Sequence, residues 1–189
     1  MNEINAKKLL FVVADALEEV QASFFLYGGT FLGAVRDKKF IEIDRDVDLA
    51  MLQEDLLLKA QMITKQFVKK GLEIEIIDHR HVRAWDSSIY AIKFHGYGIN
   101  GDLSAFKKID GKRAMPSHIG DFWLVHTAKF LEQLSEIKFY GRIFKCPKDA
   151  NGFLTEKYGD WRTPHKEFYN VSKPTCRKSE FWREENLKC

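Results

Sequence analysis

Three aspartates spaced by single residues, Asp44, Asp46 and Asp48, follow the pair Gly28-Gly29 within one stretch, GGTFLGAVRDKKFIEIDRDVDLAM. Side chains of an extended segment alternate with a period of two, so the three carboxylates share one face. Like charges so placed repel, and they persist together on a solvated rim or around a cation. Carboxylate oxygens are hard ligands that suit Mg²⁺ or Mn²⁺. Paired glycines ahead of a helix let backbone N–H groups approach an anion such as phosphate. Together these features predict a divalent-metal site beside a turn that receives a phosphate. Alone, a Gly-Gly turn is usually only a turn, and calcium or a solvated edge would explain the acidic run as well.

A further carboxylate, Asp102, falls on a predicted strand among Ile99, Gly101, Leu103 and Ala105. With that strand beside the Asp46–Asp48 strand, three carboxylates converge and can hold one or two Mg²⁺ ions on the phosphates of a nucleotide donor. Asp102 can also accept the proton of an attacking hydroxyl. The plainer reading of Asp102 is a strand-end carboxylate that caps nearby N–H groups.

The elements that must position these groups are legible in the hydrophobic pattern. Apolar residues recur at helical spacing over 5–22 and 53–70, with Gly71 stopping the second helix. Residues 24–27 form a short strand, and Thr30 is placed as the N-cap of a short helix over 31–36. Strands are expected over 72–77, 80–85, 89–95 and 99–106, the last two joined at Gly96-Tyr97-Gly98. Residues 107–120 read as a loop and 122–134 as a helix. A hairpin turns at Tyr140-Gly141-Arg142, and Pro147 opens a last helix running to Tyr158. Residues 161–189 read as an irregular tail with a short helix over 179–186. Helices and strands are interspersed, and the length suits a single 1–189 domain.

Composition narrows the function classes. The 30 basic and 27 acidic residues are too balanced for a nucleic-acid partner recognised by charge. Three cysteines without a CxxC pair make no complete disulfide framework. The first apolar run, LLFVVADAL, is broken by Asp15 and followed by Glu18 and Glu19, which argues against a signal peptide. No apolar run is long enough for a membrane span. A reducing cytoplasmic setting is expected.

Residues Gly28-Gly29-Thr30, Phe31-Leu32-Gly33-Ala34-Val35-Arg36, Ile41 and Asp44-x-Asp46-Val47-Asp48 resemble the LicD family. That family is similar to fukutin-related proteins and belongs to the nucleotidyltransferase-fold superfamily. A second patch agrees: Tyr140-Gly141-Arg142, Cys146-Pro147-Lys148-Asp149, Leu154 and Tyr158-Gly159-Asp160-Trp161-Arg162-Thr163-Pro164 are similar to the family's closing motif. The chain departs from the family's usual residues at Glu42-Ile43, Arg45 and Leu103-Ser104-Ala105.

The resemblance implies an α+β, nucleotidyltransferase-like fold, a mixed sheet flanked by helices, with Mg²⁺ (or Mn²⁺) at Asp46, Asp48 and Asp102. It implies a phosphotransferase that moves phosphocholine, ribitol phosphate or glycerol phosphate from a CDP-linked alcohol to a sugar hydroxyl of a glycan. Two alternatives stand beside it: transfer of NMP from an NTP to a sugar or small-molecule acceptor, and a nucleotide-binding module without turnover. Gly28, Gly29 and Thr30 are then the donor-phosphate turn. Asp44 is expected as a supporting residue behind the metal ligands, with a third metal contact as the alternative. Arg36 either touches donor phosphate or pins the acidic strand by an ion pair, and Lys93, one strand from Asp102, either binds phosphate or is a plain surface lysine. Arg45 is expected in solvent, and Tyr158 and Trp161 in packing. His79 and His81 have a weak metal-ligand spacing, Arg83 is a weaker phosphate candidate, and His118 and His126 read as isolated histidines.

Overall fold

A computed structural model of the chain describes residues 1–78, 89–116, 123–164 and, for the backbone, 181–182. The elements in chain order are α1 (Glu3–Glu19), β1 (Phe25–Leu26), α2 (Gly28–Arg36), β2 (Asp46–Leu52), α3 (Gln53–Lys69), β3 (Glu73–Asp78), β4 (Ile89–Gly96) and β5 (Ile99–Ile109). There follow β6 (Lys112–Pro116), β7 (Trp123–Thr127), α4 (Ala128–Glu132), β8 (Leu134–Phe139), β9 (Arg142–Pro147), α5 (Ala150–Tyr158) and β10 (Phe181–Trp182). This is the expected α+β arrangement, a mixed sheet flanked by helices.

Eight strands make one sheet in the order β1-β2-β5-β6-β7-β10, with β4 also pairing β5 and β3 on the edge beyond β4. Among the described strands only β2 and β5 run parallel. A parallel pair needs a crossover, which α3 and the β3–β4 hairpin supply. β8 and β9 form a separate two-stranded sheet. On one sheet face Val47, Leu49, Leu103, Ile92 and Phe94 are buried, and α1 and α3 pack against these strands. Leu9, Leu10, Val13 and Leu17 of α1, with Leu56, Ile63 and Phe67 of α3, provide the stripes that cover it.

Four expectations differ from the structure. The loop expected over 107–120 continues β5 to Ile109, turns at Asp110-Gly111 and returns as β6. Both turn residues have positive φ, +47° at Asp110 and +74° at Gly111, the conformation an Asp-Gly hairpin requires. The helix expected over 122–134 is β7, one turn of α4 and the start of β8, because the apolar run Trp123-Leu124-Val125 is used as a strand. Pro147 ends β9, and the N-cap of α5 is Asp149, whose carboxylate accepts the Gly152 N–H at 2.8 Å. Phe181–Trp182 pair with β7 where a short helix was expected. The strand over 80–85, the pair His79 and His81, Arg83, His118 and the remainder of the helix over 179–186 lie outside the described residues. Among the described residues no helix is long and apolar enough to cross a membrane.

Candidate active site

The site lies where α2 begins, beside the N-terminal end of β2. Thr30, expected as the N-cap of α2, lies inside the helix, and the cap position is Tyr27, which makes no side-chain capping bond. The capping oxygen comes from β2 instead. Asp48 Oδ2 accepts the Gly29 N–H at 2.6 Å, placing negative charge at the positive end of the helix. The Thr30 hydroxyl accepts the Asp48 N–H at 2.9 Å and locks helix to strand. A Cβ on Gly28 would fall 2.1 Å from Asp48 Oδ2, and one on Gly29 would fall 1.8 Å from Asp44 Oδ2. Gly28 also has φ +53°, so both glycines are dictated by the carboxylates that rest on them.

Asp44, Asp46 and Asp48 each present one carboxylate oxygen, and the three oxygens lie within 4.8 Å of one another. Asp44, expected behind the ligands, therefore stands level with them. Asp102, expected as the third ligand, is directly opposite Asp48 in the parallel β2–β5 register and is not one of those three. Burial, then the charges of Asp48 and Asp46, push Asp44 up to about 8. Burial, then Asp46 and Asp102, push Asp48 up to about 7, against the pull of the Gly29 N–H and of Lys157. Burial and Asp46 raise Asp102 to about 6, with Lys93 opposing. Burial first and mutual repulsion second favour the protonated carboxyls, and a hard divalent cation would relieve the repulsion. The donor set fits Mg²⁺ or Mn²⁺.

Two polar rows extend from this cluster across one face of the sheet. Asp48, Asp102, Lys93 and Glu75 are successive register partners on β2, β5, β4 and β3, and Asp46, Asn100, His95 and Glu73 form the next row. Directly opposed residues point to the same side of a sheet. Lys93 thus lies between Asp102 and Glu75, and the His95 ring meets Asn100 Oδ1 at 2.7 Å. Residues of both rows line a cavity of about 490 Å³, Asp46 and Asp102 among them, and neither Asp44 nor Asp48 belongs to its lining.

Arg36 bonds to the Asp37 carboxylate and donates to the Trp161 carbonyl at 3.2 Å, fastening α2 to the closing segment. Arg45 is exposed, as expected, and Tyr158 and Trp161 are buried. His126, expected to be isolated, sits in a buried chain of polar groups. Its Nε2 meets the Tyr27 hydroxyl at 2.9 Å and its Nδ1 meets Glu156 Oε1 at 3.1 Å. Glu156 also accepts the Thr127 N–H at 3.1 Å. At the other end Lys157 Nζ donates to the Tyr27 hydroxyl at 2.6 Å and lies 4.0 Å from the ring centroid. Lys157 is only 4% exposed, and its charge acts on Asp48. Sequence reasoning missed this lysine. It stands next to the recognised Tyr158-Gly159 pair, but no spacing rule separates a buried lysine from a surface one.

The profile of the family described as LicD/FKTN/FKRP, nucleotidyltransferase domain, matches residues 21–149. Human ribitol 5-phosphate transferase FKRP is 27% identical over 158 residues, 78% of this chain and 30% of that protein. The mouse protein of the same name is 28% identical over 170 residues, 84% of this chain and 32% of that protein. The chain therefore spans about a third of the length of these relatives. Among solved structures, the crystal structure of ANT(2")-Ia with adenylyl-2"-tobramycin superposes with a TM-score of 0.47 at 16% identity, over 75% of this chain and 68% of that one. The solution structure of the antibiotic-resistance factor ANT(2'')-Ia gives 0.49 at 16% identity, over 77% and 66%. The profile match takes in the glycine pair, the three clustered aspartates and Asp102, and with it the chain belongs to the LicD/FKTN/FKRP family through its nucleotidyltransferase domain.

Proposed function

We propose that this chain is a divalent-metal-dependent phosphotransferase that moves a phospho-alcohol from a CDP-linked donor to a hydroxyl of a sugar or glycan. The observation that carries the reading is the convergence of Asp44, Asp46 and Asp48 on one point at the N-terminus of α2, with Asp102 opposite Asp48. Family membership and the two FKRP relatives, whose name is ribitol 5-phosphate transferase, support phospho-alcohol transfer over other uses of such a site.

Asp46 and Asp48, with Asp102 or Asp44 completing the set, would hold Mg²⁺ or Mn²⁺. When bound, the ion supplies positive charge against the phosphate oxygens of the donor. The chain's own groups do the rest. The Gly29 amide is held by Asp48, and the dipole of α2 favours anionic oxygens at its start. Lys157 adds a buried positive charge on the Asp48 side. Asp102, held at about 6, is matched to accept a proton from the attacking hydroxyl near neutral pH. That hydroxyl attacks the phosphorus bonded to the alcohol's oxygen; the new P–O bond forms as the bond to CMP breaks, and CMP leaves with the electron pair. A reducing cytoplasmic compartment belongs to the same proposal and rests on the odd cysteine count alone.

The test is incubation with Mg²⁺, a panel of CDP-alcohols and NTPs, and sugar acceptors, with products weighed by mass spectrometry. CMP release with acceptor gaining a phospho-alcohol is expected, and Asp46→Asn or Asp48→Asn should abolish it. Pyrophosphate release with acceptor gaining NMP would replace this reading with nucleotidyl transfer. Wild-type turnover in both variants would refute the role of the carboxylates.

A further inference from the structure

Two of the three clustered carboxylates are held by a strand, and the third is not. Asp46 and Asp48 belong to β2, whereas Asp44 lies in the connection between α2 and β2, residues 37–45. Carboxylates this close repel one another, so the connection must be held against that push. Its anchors are Phe40 and Ile41, both buried. The connection crosses α2 at Gly33, where a Cβ would fall 2.5 Å from the Lys39 carbonyl oxygen. The Ile41 carbonyl then accepts the Asp44 N–H at 3.1 Å, a turn that ties the place of Asp44 to that of Ile41.

Phe40 is held in turn by a residue 100 positions along the chain, Tyr140 at the tip of the β8–β9 hairpin. Tyr140 Oη accepts the Phe40 N–H at 2.9 Å and donates to the Glu3 carboxylate of α1. Burial and the Glu3 bond push the phenol up to about 12, so the hydroxyl keeps its proton. The two rings stack with centroids 5.3 Å apart and planes at 27°, and Phe139 meets Phe40 edge-on at 5.2 Å. The hairpin by itself would favour another residue. Its two-residue loop has φ +50° at Tyr140 and +89° at Gly141, and the first such position favours Asn, Asp or Gly. A tyrosine there carries backbone strain that the turn does not need, and what its side chain gains is the bond and the stack on the Asp44 connection.

From this we infer that Tyr140 is a positioning residue for the metal site: through Phe40 and the Ile41–Asp44 turn it holds the Asp44 carboxylate level with those of Asp46 and Asp48. The inference rests on the divalent-metal reading of the aspartate cluster, and goes beyond it by making Asp44 a ligand whose place is set from the β8–β9 hairpin. Gly33 serves the same end, since a side chain there would lift the connection off α2. The effect of Tyr140 is exerted through Asp44 and is read in cation affinity.

The test is a double-mutant cycle on Mn²⁺ affinity, measured by calorimetry at pH 8 on the whole chain. Tyr140→Phe keeps the ring and removes the oxygen that the Phe40 N–H bonds. It should weaken Mn²⁺ binding by about three- to tenfold, the scale of one hydrogen bond. Tyr140→Asn suits the turn, so the hairpin forms, and it removes both bond and stack; binding should weaken at least as much. Asp44→Asn should weaken binding by about tenfold or more, no less than the loss of a group that supports a ligand. Tyr140→Phe placed on Asp44→Asn should then add less than about twofold, because the ligand being positioned is gone. Urea unfolding of each variant is the control: a residue that only packs the hairpin lowers the midpoint and leaves the affinity of the folded protein unchanged. Wild-type affinity in both Tyr140 variants, with Asp44→Asn weakened, overturns the inference and leaves the metal reading standing. A Tyr140→Phe loss that is undiminished in the Asp44→Asn background overturns it too, since the effect then runs through another group. So does wild-type affinity in Asp44→Asn alongside a loss in Asp46→Asn, which gives the third ligand position to another residue. Absence of Mn²⁺ binding in the wild type removes the metal reading and this inference together.

Discussion

The crowding of carboxylates at the start of α2 makes the metal-free protein lose stability as pH rises, and a divalent cation should reverse the trend. Asp48 binds its proton more tightly folded, at about 7, than at its ordinary 3.8. The folded state therefore carries the extra proton in the window between those values. The contribution of this group is fully present below about 4 and is gone above about 7. A shift of about three units is worth ~4 kcal/mol. The carboxyl is only half-buried, so we take about half of that, ~2 kcal/mol, as the loss between pH 4 and pH 8. For a chain of this size that is roughly 4–8 °C in the melting temperature. Asp44, raised to about 8, adds in the same direction and extends the window upward. Other carboxyls act oppositely at low pH, so the informative quantity is the difference between wild type and Asp48→Asn. The chelator-treated wild type should lose several degrees relative to the variant from pH 5 to pH 8. Saturating Mg²⁺ or Mn²⁺ should raise the wild type at pH 8 by a similar amount, do little at pH 5 where the ligands are protonated, and do little to the variant. Parallel pH curves for the two proteins, or a cation effect equal at both pH values, would refute the argument.

Other perturbations separate positioning from packing. Gly29→Ala places a methyl group 1.8 Å from the Asp44 carboxylate, so cation affinity measured by calorimetry should fall by about tenfold or more while the fold persists. Gly28→Ala adds the strain of φ +53° to a contact with Asp48, and urea unfolding should show a loss of about 1–3 kcal/mol. Lys157→Met removes the charge that holds Asp48 down, so the acidic limb of the pH–rate profile should move to higher pH; a profile that stays in place would show that Lys157 acts only through packing. Glu156 is penalised by burial, but its bonds to His126 and Thr127 prevail and hold its carboxyl below the usual range. Its contribution is present above pH 4.5 and is lost as pH falls, and Glu156→Gln should cost about 1–3 kcal/mol in urea unfolding at pH 7.

Most of the frame was legible because it is written in local pattern. The stripes of α1 and α3, the alternation of β2 and the Gly96-Tyr97-Gly98 turn each depend on near neighbours in sequence. The misreadings share a cause as well. Residues 107–120 carry charge and glycine, which suggest a loop, but Lys107 and Lys108 project from strand positions whose partners on β6 are far from apparent in composition. Trp123-Leu124-Val125 is apolar without a period, and only its pairing with β6 decides for strand over helix. Thr30 satisfies the local rule for an N-cap. Its hydroxyl is taken instead by the Asp48 amide, 18 residues away, and Asp48 caps the helix from another element.

The same distinction explains the site. Glycine pair and alternating aspartates are local signals, and they located the cluster. Which aspartate stands level with which is a matter of how β2 enters the sheet. Asp44 precedes the strand and still folds back over Gly29, so its role could not be read from alternation alone. Lys157 and Glu75 reach the site from α5 and from the sheet edge, and neither belongs to any motif. Asp44 and Asp48 rest on the first residues of α2, and Asp48 feels the charge of Lys157, whereas Asp46 and Asp102 line the cavity beside β3 and β4. One carboxylate cluster therefore borders two environments, and only the sheet register, not the spacing of the aspartates, decides which residue faces which.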